Sequence, residues 1–366
     1  MKLSINRDAL LKPLQAVNGV VERRQTMPIL ANVLLVAKNG SLAVTATDLE
    51  VELVALAEAD KVDVPGDITV PGRKLLDITR ALPDGAKLSV QLDGDRLVLK
   101  AGRSRFVLST LPAADFPLVE KVEAASRVKL AQKDIGRLLD KTQFSMAQQD
   151  VRYYLNGLLL ETSKKRVRAV ATDGHRLAMC DISIENQEVT AGQVIIPRKG
   201  VMELHRLLGG GGDVELAIGS NHIRVEFDGI RFTSKLIDGR FPDYERVIPS
   251  SNATTLTADR ETLRASLQRA SILSNEKYRG VRLELGKDNL KLQANNPDQE
   301  EAREEVEVSY GGDAMEIGFN VTYLLDALGA IDSDSVEIDF VDANSSCLIR
   351  GQKGDAAKYV VMPMRL

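Results

Sequence analysis

The pattern of apolar and polar positions repeats three times along the chain. Each copy is a short strand of alternating apolar residues that ends in a polar triplet, Ala-Thr-Asp or Ala-Asn-Asn. The copies span residues 41–53, 166–177 and 289–301. The last residues of the triplets, Asp48, Asp173 and Asn296, lie 125 and then 123 residues apart. Because solenoid units are only about 20–50 residues long, this period predicts three copies of a whole domain.

Helical and strand patterns follow one another in the same order in each predicted domain. A helix begins after Asn6, a predicted N-cap, and contains the unfavourable Pro13, while Thr257 or Asp259 is the predicted cap of the equivalent helix in the third domain. Second helices are expected around Arg73 to Leu82, Lys199 to Leu208 and Val321 to Ile331. This order predicts an α+β protein with domains at 1–125, 126–250 and 251–366, each with two helices packed on antiparallel sheets.

Composition narrows the class of protein. Hydrophobic residues make up 44% of the chain, and no apolar run reaches the ~18 residues of a membrane span. The first residues lack the apolar stretch of a signal peptide, so we expect a cytoplasmic protein that contacts no membrane. Cys180 and Cys347 fall in different repeats, which argues against a disulfide framework and against a Cys/His metal site.

Charge is distributed unevenly between the three predicted domains. Residues 1–125 carry 16 basic and 16 acidic side chains, residues 126–250 carry 19 and 16, and residues 251–366 carry 13 and 20. The chain thus runs from neutral or basic to acidic. This polarity suits head-to-tail contact between copies, although solubility alone is an alternative reading.

Basic residues recur on the polar faces of the predicted helices. Lys133, Arg137 and Lys141 share one face, and Arg260 and Arg264 share another. A charged face is often merely solvated. Its recurrence on equivalent helices instead favours a surface that holds DNA through phosphates without reading sequence.

Signals for catalysis are weak. The sequence contains no phosphate-binding G-x-x-x-x-G-K-[ST] loop and no G-x-S-x-G, H-E-x-x-H or C-x-x-C motif. Asp48, Glu50 and Glu52 form a candidate metal site, and Asp173 with His175 a candidate acid–base pair. The repeat places Asp48 and Asp173 at equivalent strand ends, which favours a turn-capping role. We predict no enzyme activity, no metal and no cofactor.

The segment YVVMPMRL, residues 359–366, is apolar almost throughout. Its position in the repeat predicts a packed closing strand. Its two methionines also suit a groove that accepts several partner peptides, because Met side chains repack at low cost. The two readings are compatible.

Several segments together resemble the bacterial DNA polymerase III β subunits, the sliding clamps. They are FSMAQQDVRYYLNG, ATDGHRLA, SKLIDGRFPDY, ILSNEKYRGVRL and VVMPMRL. The resemblance implies three clamp domains forming half of a ring, a homodimer that encloses double-stranded DNA. Matching DNA-binding positions are Arg24, Arg73, Gln149, Tyr153, Tyr154 and Lys199, to which helix position and charge add Lys12, Arg80, Lys141 and Arg198.

The resemblance also implies a partner-peptide groove between the second and third domains. The matching residues are Leu155, Thr172, Gly174, His175, Arg176, Leu177, Pro242, Arg246, Val247, Asn320, Tyr323, Ser346, Val360, Val361, Met362, Pro363 and Met364. Tyr278 and Asn344 depart from the expected pattern, in which Phe and an apolar residue stand. Expected partners are the DNA polymerase III α subunit, an ATP-driven clamp loader, other polymerases and repair proteins.

Ring closure is expected to join the third domain of one copy to the first domain of the other. The third domain would contribute Ile272 and Leu273 with the acidic residues Asp298, Glu300, Glu301 and Glu304, and the first domain Phe106 and Leu108 on an edge strand with Lys74, Arg103 and Arg105. Arg303 interrupts the acidic run. Two alternatives from other classes are a metal-dependent DNA-processing hydrolase and a monomeric peptide-binding scaffold.

Overall fold

A computed structural model describes residues 1–22, 27–119, 122–185, 189–249, 253–352 and 354–365. Its helices are α1 (Arg7–Val17), α2 (Gly72–Ala81), α3 (Gln132–Thr142), α4 (Arg198–Leu207), α5 (Arg260–Ser271) and α6 (Val321–Ala330). Each of these six lies where a helix was predicted, and for α2, α4 and α6, whose two ends were both predicted, the ends differ by at most one residue. Among the described residues, no helix is both long and apolar enough to cross a bilayer.

Twenty-six strands make up the β framework of the described residues. The first nine are β1 (Lys2–Asn6), β2 (Asn32–Lys38), β3 (Ser41–Thr47), β4 (Val51–Glu58), β5 (Lys61–Val64), β6 (Gly66–Pro71), β7 (Lys87–Asp93), β8 (Arg96–Ala101) and β9 (Ser104–Ser109). The next eight are β10 (Ser126–Ala131), β11 (Gly157–Thr162), β12 (Arg166–Thr172), β13 (Arg176–Ser183), β14 (Gly192–Pro197), β15 (Asp213–Ile218), β16 (His222–Phe227) and β17 (Ile230–Lys235). The last nine are β18 (Thr254–Asp259), β19 (Gly280–Gly286), β20 (Asn289–Asn295), β21 (Glu301–Glu307), β22 (Ser309–Tyr310), β23 (Met315–Asn320), β24 (Ser335–Phe340), β25 (Cys347–Gly351) and β26 (Ala357–Val361).

The chain divides into two compact units that do not follow the repeat. The first comprises Met1–Lys133 and Lys199–Leu236, and the second comprises Asp134–Arg198 and Ile237–Leu366. The first unit contains a five-stranded sheet, β5-β1-β7-β8-β9, and an eight-stranded sheet, β10-β15-β16-β17-β4-β3-β2-β6. The second contains a nine-stranded sheet, β14-β11-β12-β13-β26-β25-β24-β18-β22, and a four-stranded sheet, β21-β20-β19-β23. All the strand pairs that define these sheets are antiparallel, as predicted.

Short polar contacts fix the predicted ends of helices. The Asn6 side chain accepts a hydrogen bond from the Asp8 amide, and the Asp259 side chain accepts one from the Thr262 amide at 2.8 Å. Asp259 rather than Thr257 is therefore the cap. Pro13 lies inside α1 on its buried face, so the packing of that face offsets the hydrogen bond that proline cannot make.

Helices cover one face of the sheets in each unit. In the first unit α1 packs on α2 and on strands β3 and β4, and in the second unit α5 packs on α6 and on strands β20 and β21. The core between these helices and strands is apolar. In the first unit, Leu10, Leu14 and Leu53 are among the side chains that are almost fully buried. Burial of such side chains is the main source of stability in the fold.

Candidate functional site

An apolar cavity of about 170 Å³ opens on the surface of the second unit. Its lining residues are Arg152, Tyr154, Leu155, Thr172, Gly174, His175, Arg176, Leu177, Pro242, Asp243, Tyr244, Val247, Val360 and Met362. We call this cavity the groove. Many of the residues predicted for a partner-peptide site are therefore brought together here from four separate stretches of sequence.

The floor of the groove is formed where strands of the second and third repeats join. Strand β13 pairs with β26, and Leu177 lies opposite Val360. These two side chains and Leu155 are 1–3% exposed and belong to one buried apolar cluster. The chain then continues along the rim, where the Met362 amide donates to the His175 carbonyl at 2.9 Å and Met362 is 40% exposed. The final strand therefore both packs and borders the cavity, as the two compatible readings predicted.

A capped turn shapes one wall. The Asp173 Oδ1 atom accepts hydrogen bonds from the amides of His175 and Arg176 at 2.9 and 3.0 Å. Gly174 has a φ of +88°, and a Cβ atom there would lie 2.7 Å from an Arg152 guanidinium nitrogen. Only glycine fits this turn without strain and without displacing Arg152.

Arg176 links this wall to the third repeat. Its guanidinium contacts Asp173 at 3.1 Å and Asp326 at 2.5 Å, and it donates to the Phe144 carbonyl at 2.8 Å. It also lies 4.5 Å from the centre of the Tyr323 ring. Because each of its three guanidinium nitrogens donates to a partner, Arg176 acts as a fixed structural part of the groove.

The remaining predicted groove residues lie outside the cavity lining. They are Arg246, Asn320, Tyr323, Ser346, Val361, Pro363 and Met364. Ser346 contacts the lining, because its hydroxyl donates to the Val247 carbonyl at 3.2 Å, whereas Asn320 caps α6. Arg246 is exposed and pairs with Asp243 at 2.6 Å.

The predicted DNA-binding side chains are found in different settings. Lys12 and Gln149 are exposed, and the side chains of Arg80 and Tyr153 are also more than half exposed. The Arg73 guanidinium donates to the Val21 carbonyl at 3.1 Å. Arg24 lies outside the described residues.

Three more of the predicted cations, besides Arg73 and Arg80, have partners within the chain. Lys199 contacts Asp48 at 2.5 Å and Glu22 at 2.6 Å. The guanidinium of Arg198 donates to the Met146 carbonyl at 3.2 Å. Lys141, the third, needs a correction.

The Lys141 side chain is only 7% exposed. Its ammonium contacts Asp332 at 2.7 Å and the Ala330 carbonyl at 2.5 Å. Turning this buried ammonium towards DNA would break both of these contacts. We therefore leave Lys141 out of the set that faces DNA.

The acidic residues considered for catalysis have structural roles. Asp48 Oδ1 accepts from the amides of Glu50 and Val51 at 2.9 and 2.7 Å, which confirms the turn-capping prediction. The Glu52 carboxylate accepts from the Val119 amide at 2.8 Å, and burial raises its pKa. Within the described residues, no group of three His, Cys, Asp or Glu side chains is placed to hold a metal ion.

The residues predicted for ring closure lie on or beside two sheet edges. Strand β9 is an edge of the five-stranded sheet; Arg103, in the turn before it, and Arg105 are exposed, and Phe106 is half-buried. Leu108 is 7% exposed, so most of its side chain packs inside its own sheet. Lys74 on α2 is also exposed.

The second of these edges belongs to the four-stranded sheet, in which β21 is an outer strand. Ile272 is 75% exposed and Leu273 is half-buried. The Glu304 carboxylate pairs with Arg269 at 2.6 Å, and Glu301 pairs with Arg303 at 2.7 Å. Arg303 thus neutralises part of the acidic run that it interrupts. Asp298 and Glu300 are exposed.

Models of the DNA polymerase III beta subunit match almost the whole chain. The N-terminal domain model matches residues 1–120, the central domain model 129–243 and the C-terminal domain model 245–365. The chain belongs to this family. Its resemblance to the clamps and its α+β class with three repeated domains are thereby confirmed. The family is that of a non-catalytic processivity factor, which agrees with the prediction of no enzyme activity.

Individual members of the DNA polymerase III beta family are similar over their full length. The chain is 54% identical to the beta sliding clamp of Pseudomonas putida and 51% identical to that of Escherichia coli K12, with 100% of each chain covered. A crystal structure of the subunit from Pseudomonas aeruginosa is 53% identical, covers 100% of both chains and superposes with a TM-score of 0.98. A second Pseudomonas aeruginosa clamp, 54% identical, was solved bound to griselimycin.

Four residues of the groove were not assigned to it from the sequence. Arg152, Asp243 and Tyr244 were not singled out at all, and Tyr154 was assigned to DNA. Arg152 precedes the predicted Tyr153–Leu155 segment, and Asp243 and Tyr244 fall between the predicted Pro242 and Val247. Adjacency to predicted positions was therefore the available signal. Of the two family departures, Tyr278 is 57% exposed and lies outside the groove lining, and Asn344 is exposed.

Proposed function

We propose that two copies of the chain close head to tail into a ring that encloses duplex DNA and tethers a polymerase to it. The observation that carries this proposal is a pattern of strand pairing. The strand after the first capped turn, β4, pairs with the closing strand β17, and the strand after the second, β13, pairs with the closing strand β26. Each pair joins one repeat to the next.

The third such strand pair, which would join β21 to β9, is not formed among the described residues of one chain. Strand β21 follows Asn296, the counterpart of Asp48 and Asp173, and β9 occupies in the first repeat the place that β17 and β26 occupy in the other two. Among the described residues, β21 and β9 are each hydrogen-bonded to one neighbouring strand only. A second copy supplies what each edge lacks, because β21 of one chain can pair with β9 of the next. Unpaired edges otherwise favour uncontrolled association. Two such contacts, related by a two-fold axis, close the assembly.

Complementary side chains support this pairing. Arg103, Arg105 and Lys74 give the β9 edge a positive charge, while Glu300 and Glu301 give the β21 edge a negative one. Opposite charges of this kind set register and orientation more than affinity. The exposed Ile272 adds apolar area at the same end of the second unit.

DNA would contact the basic residues of the helices and of the adjoining loops. Lys12, Arg80, Gln149 and Tyr153 are accessible, and phosphate contacts from such residues carry no base identity. Few permanent contacts suit sliding, since affinity rises with the number of phosphates neutralised. We retain Arg24, Arg73, Tyr154 and Lys199 in the proposed set from the family resemblance, and Arg198 from its charge and helix position.

The groove would hold the partners. A short flexible segment with a Gln and two or three apolar side chains fits an apolar cavity of about 170 Å³ with a polar rim. The proposed partners are the polymerase III α subunit, the clamp loader, other polymerases and repair proteins. An ATP-driven loader opens the ring, because the sequence carries no phosphate-binding loop of its own. The site of action is the cytoplasm.

Retention on circular DNA tests the ring directly. The chain is loaded onto nicked circular DNA with a loader and ATP, and half the sample is then linearised by a restriction enzyme. A ring persists on the circle and is lost from the free ends of the linear form. Equal retention on both forms would overturn the proposal and favour the monomeric scaffold, which sedimentation at micromolar concentration would then reveal.

A further inference from the structure

One wall of the groove is a short irregular segment, residues 241–247, which we call the wall segment. Pro242 and Val247 of this segment line the groove. Between them Tyr244 begins a single turn of 3-10 helix and is 6% exposed. Its ring packs in the same apolar cluster as Leu177 and Val360. The wall segment is thus anchored through aromatic side chains, Tyr244 and its neighbour Phe241.

The hydroxyl of Tyr244 extends past this cluster into a polar network. It accepts a hydrogen bond from the Arg168 guanidinium at 3.0 Å and donates one to the Glu161 carboxylate. Arg168 is itself held by two bonds to Asp181, at 2.5 and 2.8 Å. Gln193 donates to the other oxygen of Glu161 at 2.6 Å. The hydroxyl is therefore fixed by side chains from β11, β12 and β13.

Protonation of this hydroxyl is secure. Burial and the hydrogen bond to Glu161 raise the pKa of Tyr244 to about 12. Arg168 is 7% exposed, and its charge is balanced by Asp181 and by Glu245, 3.5 Å away, rather than by bulk water. Hydrogen-bond networks are rigid when every member is satisfied.

Open space lies on both sides of the wall segment. The groove occupies one side, and a polar cavity of about 250 Å³, lined by Glu161, Gln193 and Arg240 among others, occupies the other. Apolar packing of Phe241 and Tyr244 holds the segment down but has little directional preference. Among the described residues, the directional contacts that hold this segment are the Tyr244 hydroxyl, the Arg168–Glu245 pair at 3.5 Å and the bond from the Ser346 hydroxyl to the Val247 carbonyl.

We propose that Tyr244 is a positioning residue whose hydroxyl sets the width of the groove at Pro242 and thereby selects the size of the apolar anchor that partner peptides insert. This inference rests on the proposed peptide-binding function. A wall fixed by the network excludes anchors that are too large and leaves small ones poorly packed. A wall without these hydrogen bonds adapts to large and small anchors alike, and the affinity for the anchor that fitted best falls.

The test compares the full-length chain with Tyr244→Phe. Two synthetic peptides serve as probes, each with one Gln and three apolar residues, which differ only in a last anchor that is Phe in one and Val in the other. Loss of a bridging hydrogen bond to charged groups should weaken the better-fitting peptide about tenfold. The other peptide should change much less, so the ratio of the two dissociation constants narrows. Tyr310→Phe is the matched control, because it removes a buried hydroxyl bonded to the Asp313 carbonyl at 3.1 Å, away from the groove.

Selectivity separates positioning from general destabilisation. If Tyr244→Phe leaves both affinities unchanged, or lowers both equally, the inference fails. Should that variant not fold, Glu161→Gln carries the test, since it keeps the size of the side chain and removes the charge that orients the hydroxyl. Narrowed selectivity in Glu161→Gln supports the inference and unchanged selectivity overturns it. If the unmodified chain binds neither peptide, the proposed function itself has failed.

Discussion

Substitution of Ile272 by alanine is expected to weaken the ring without unfolding the chain. The side chain is 75% exposed, so it contributes little to the stability of a single copy. In the proposed ring it is covered by the first domain of the next copy. Ile272→Ala should therefore separate assembly from folding, which a buried core substitution cannot do.

The size of the effect follows from the exposed area. Alanine lacks three of the carbons of isoleucine, which are worth about 2.4 kcal/mol when fully removed from water. Since the chain itself leaves about three-quarters of the side chain exposed, a fully covering partner would gain about 1.8 kcal/mol per contact. Each ring has two such contacts, and the dimer dissociation constant should rise by roughly 300-fold.

Sedimentation velocity of labelled chain from nanomolar to micromolar concentration measures this constant. Thermal unfolding of the same samples should change little, because substitutions at exposed positions usually alter stability by less than about 0.5 kcal/mol. Leu56→Ala is the matched control, since Leu56 is 57% exposed on β4, away from the proposed contact. A dissociation constant within threefold of the unmodified chain would refute the placement of the interface. Equal weakening by Leu56→Ala would do the same.

Three further results are expected. Arg80→Glu should lower retention on circular DNA equally for all DNA sequences, and should reduce by about 1 the slope of log binding constant against log salt concentration. A loss that depends on the DNA sequence would contradict this. Lys141→Ala should instead lower the melting temperature of the chain. Deletion of residues 362–366 spares β26 and should leave a ring that encloses DNA yet no longer binds polymerase; normal polymerase binding would reduce the tail to a closing strand. Burial raises the pKa of Glu52 in the folded chain above its value in the unfolded chain. The contribution of Glu52 to the free energy of unfolding is therefore complete below the unfolded-state pKa and is lost as pH rises through the folded-state pKa. Glu52→Gln should therefore raise the melting temperature at pH 7 but not at pH 4, and an equal shift at both would refute the assignment.

Local features of the fold were determined by the sequence alone. Asp48 and Asp173 were predicted to cap turns and do so through amides two and three residues further on, and Asn6 and Asp259 cap helices in the same way. Such contacts join neighbours in the chain, so the residue type and its spacing are sufficient to specify them. The threefold repeat could also be predicted from the sequence, because each domain contains its own copy of the strand pattern.

Tertiary structure alone decided which side chains are available for binding. Helical spacing placed Lys141 on a basic face, but its partner Asp332 is 191 positions away along the chain and is brought beside it only by folding. Lys199 is neutralised by Glu22 and Asp48 for the same reason. Periodicity shows which face of a helix a residue lies on. It does not show which acidic side chain the fold brings beside that residue.

The groove combines both kinds of information. Its residues could be listed by resemblance, but the pairing of Leu177 with Val360 and the anchoring of the wall by Tyr244 depend on strands from different repeats meeting in one sheet. A strand with a buried face satisfies its hydrogen bonds with any neighbour of matching pattern, so the sequence allowed several partners for β13. Packing of the whole unit selected β26, and with that choice the groove was formed.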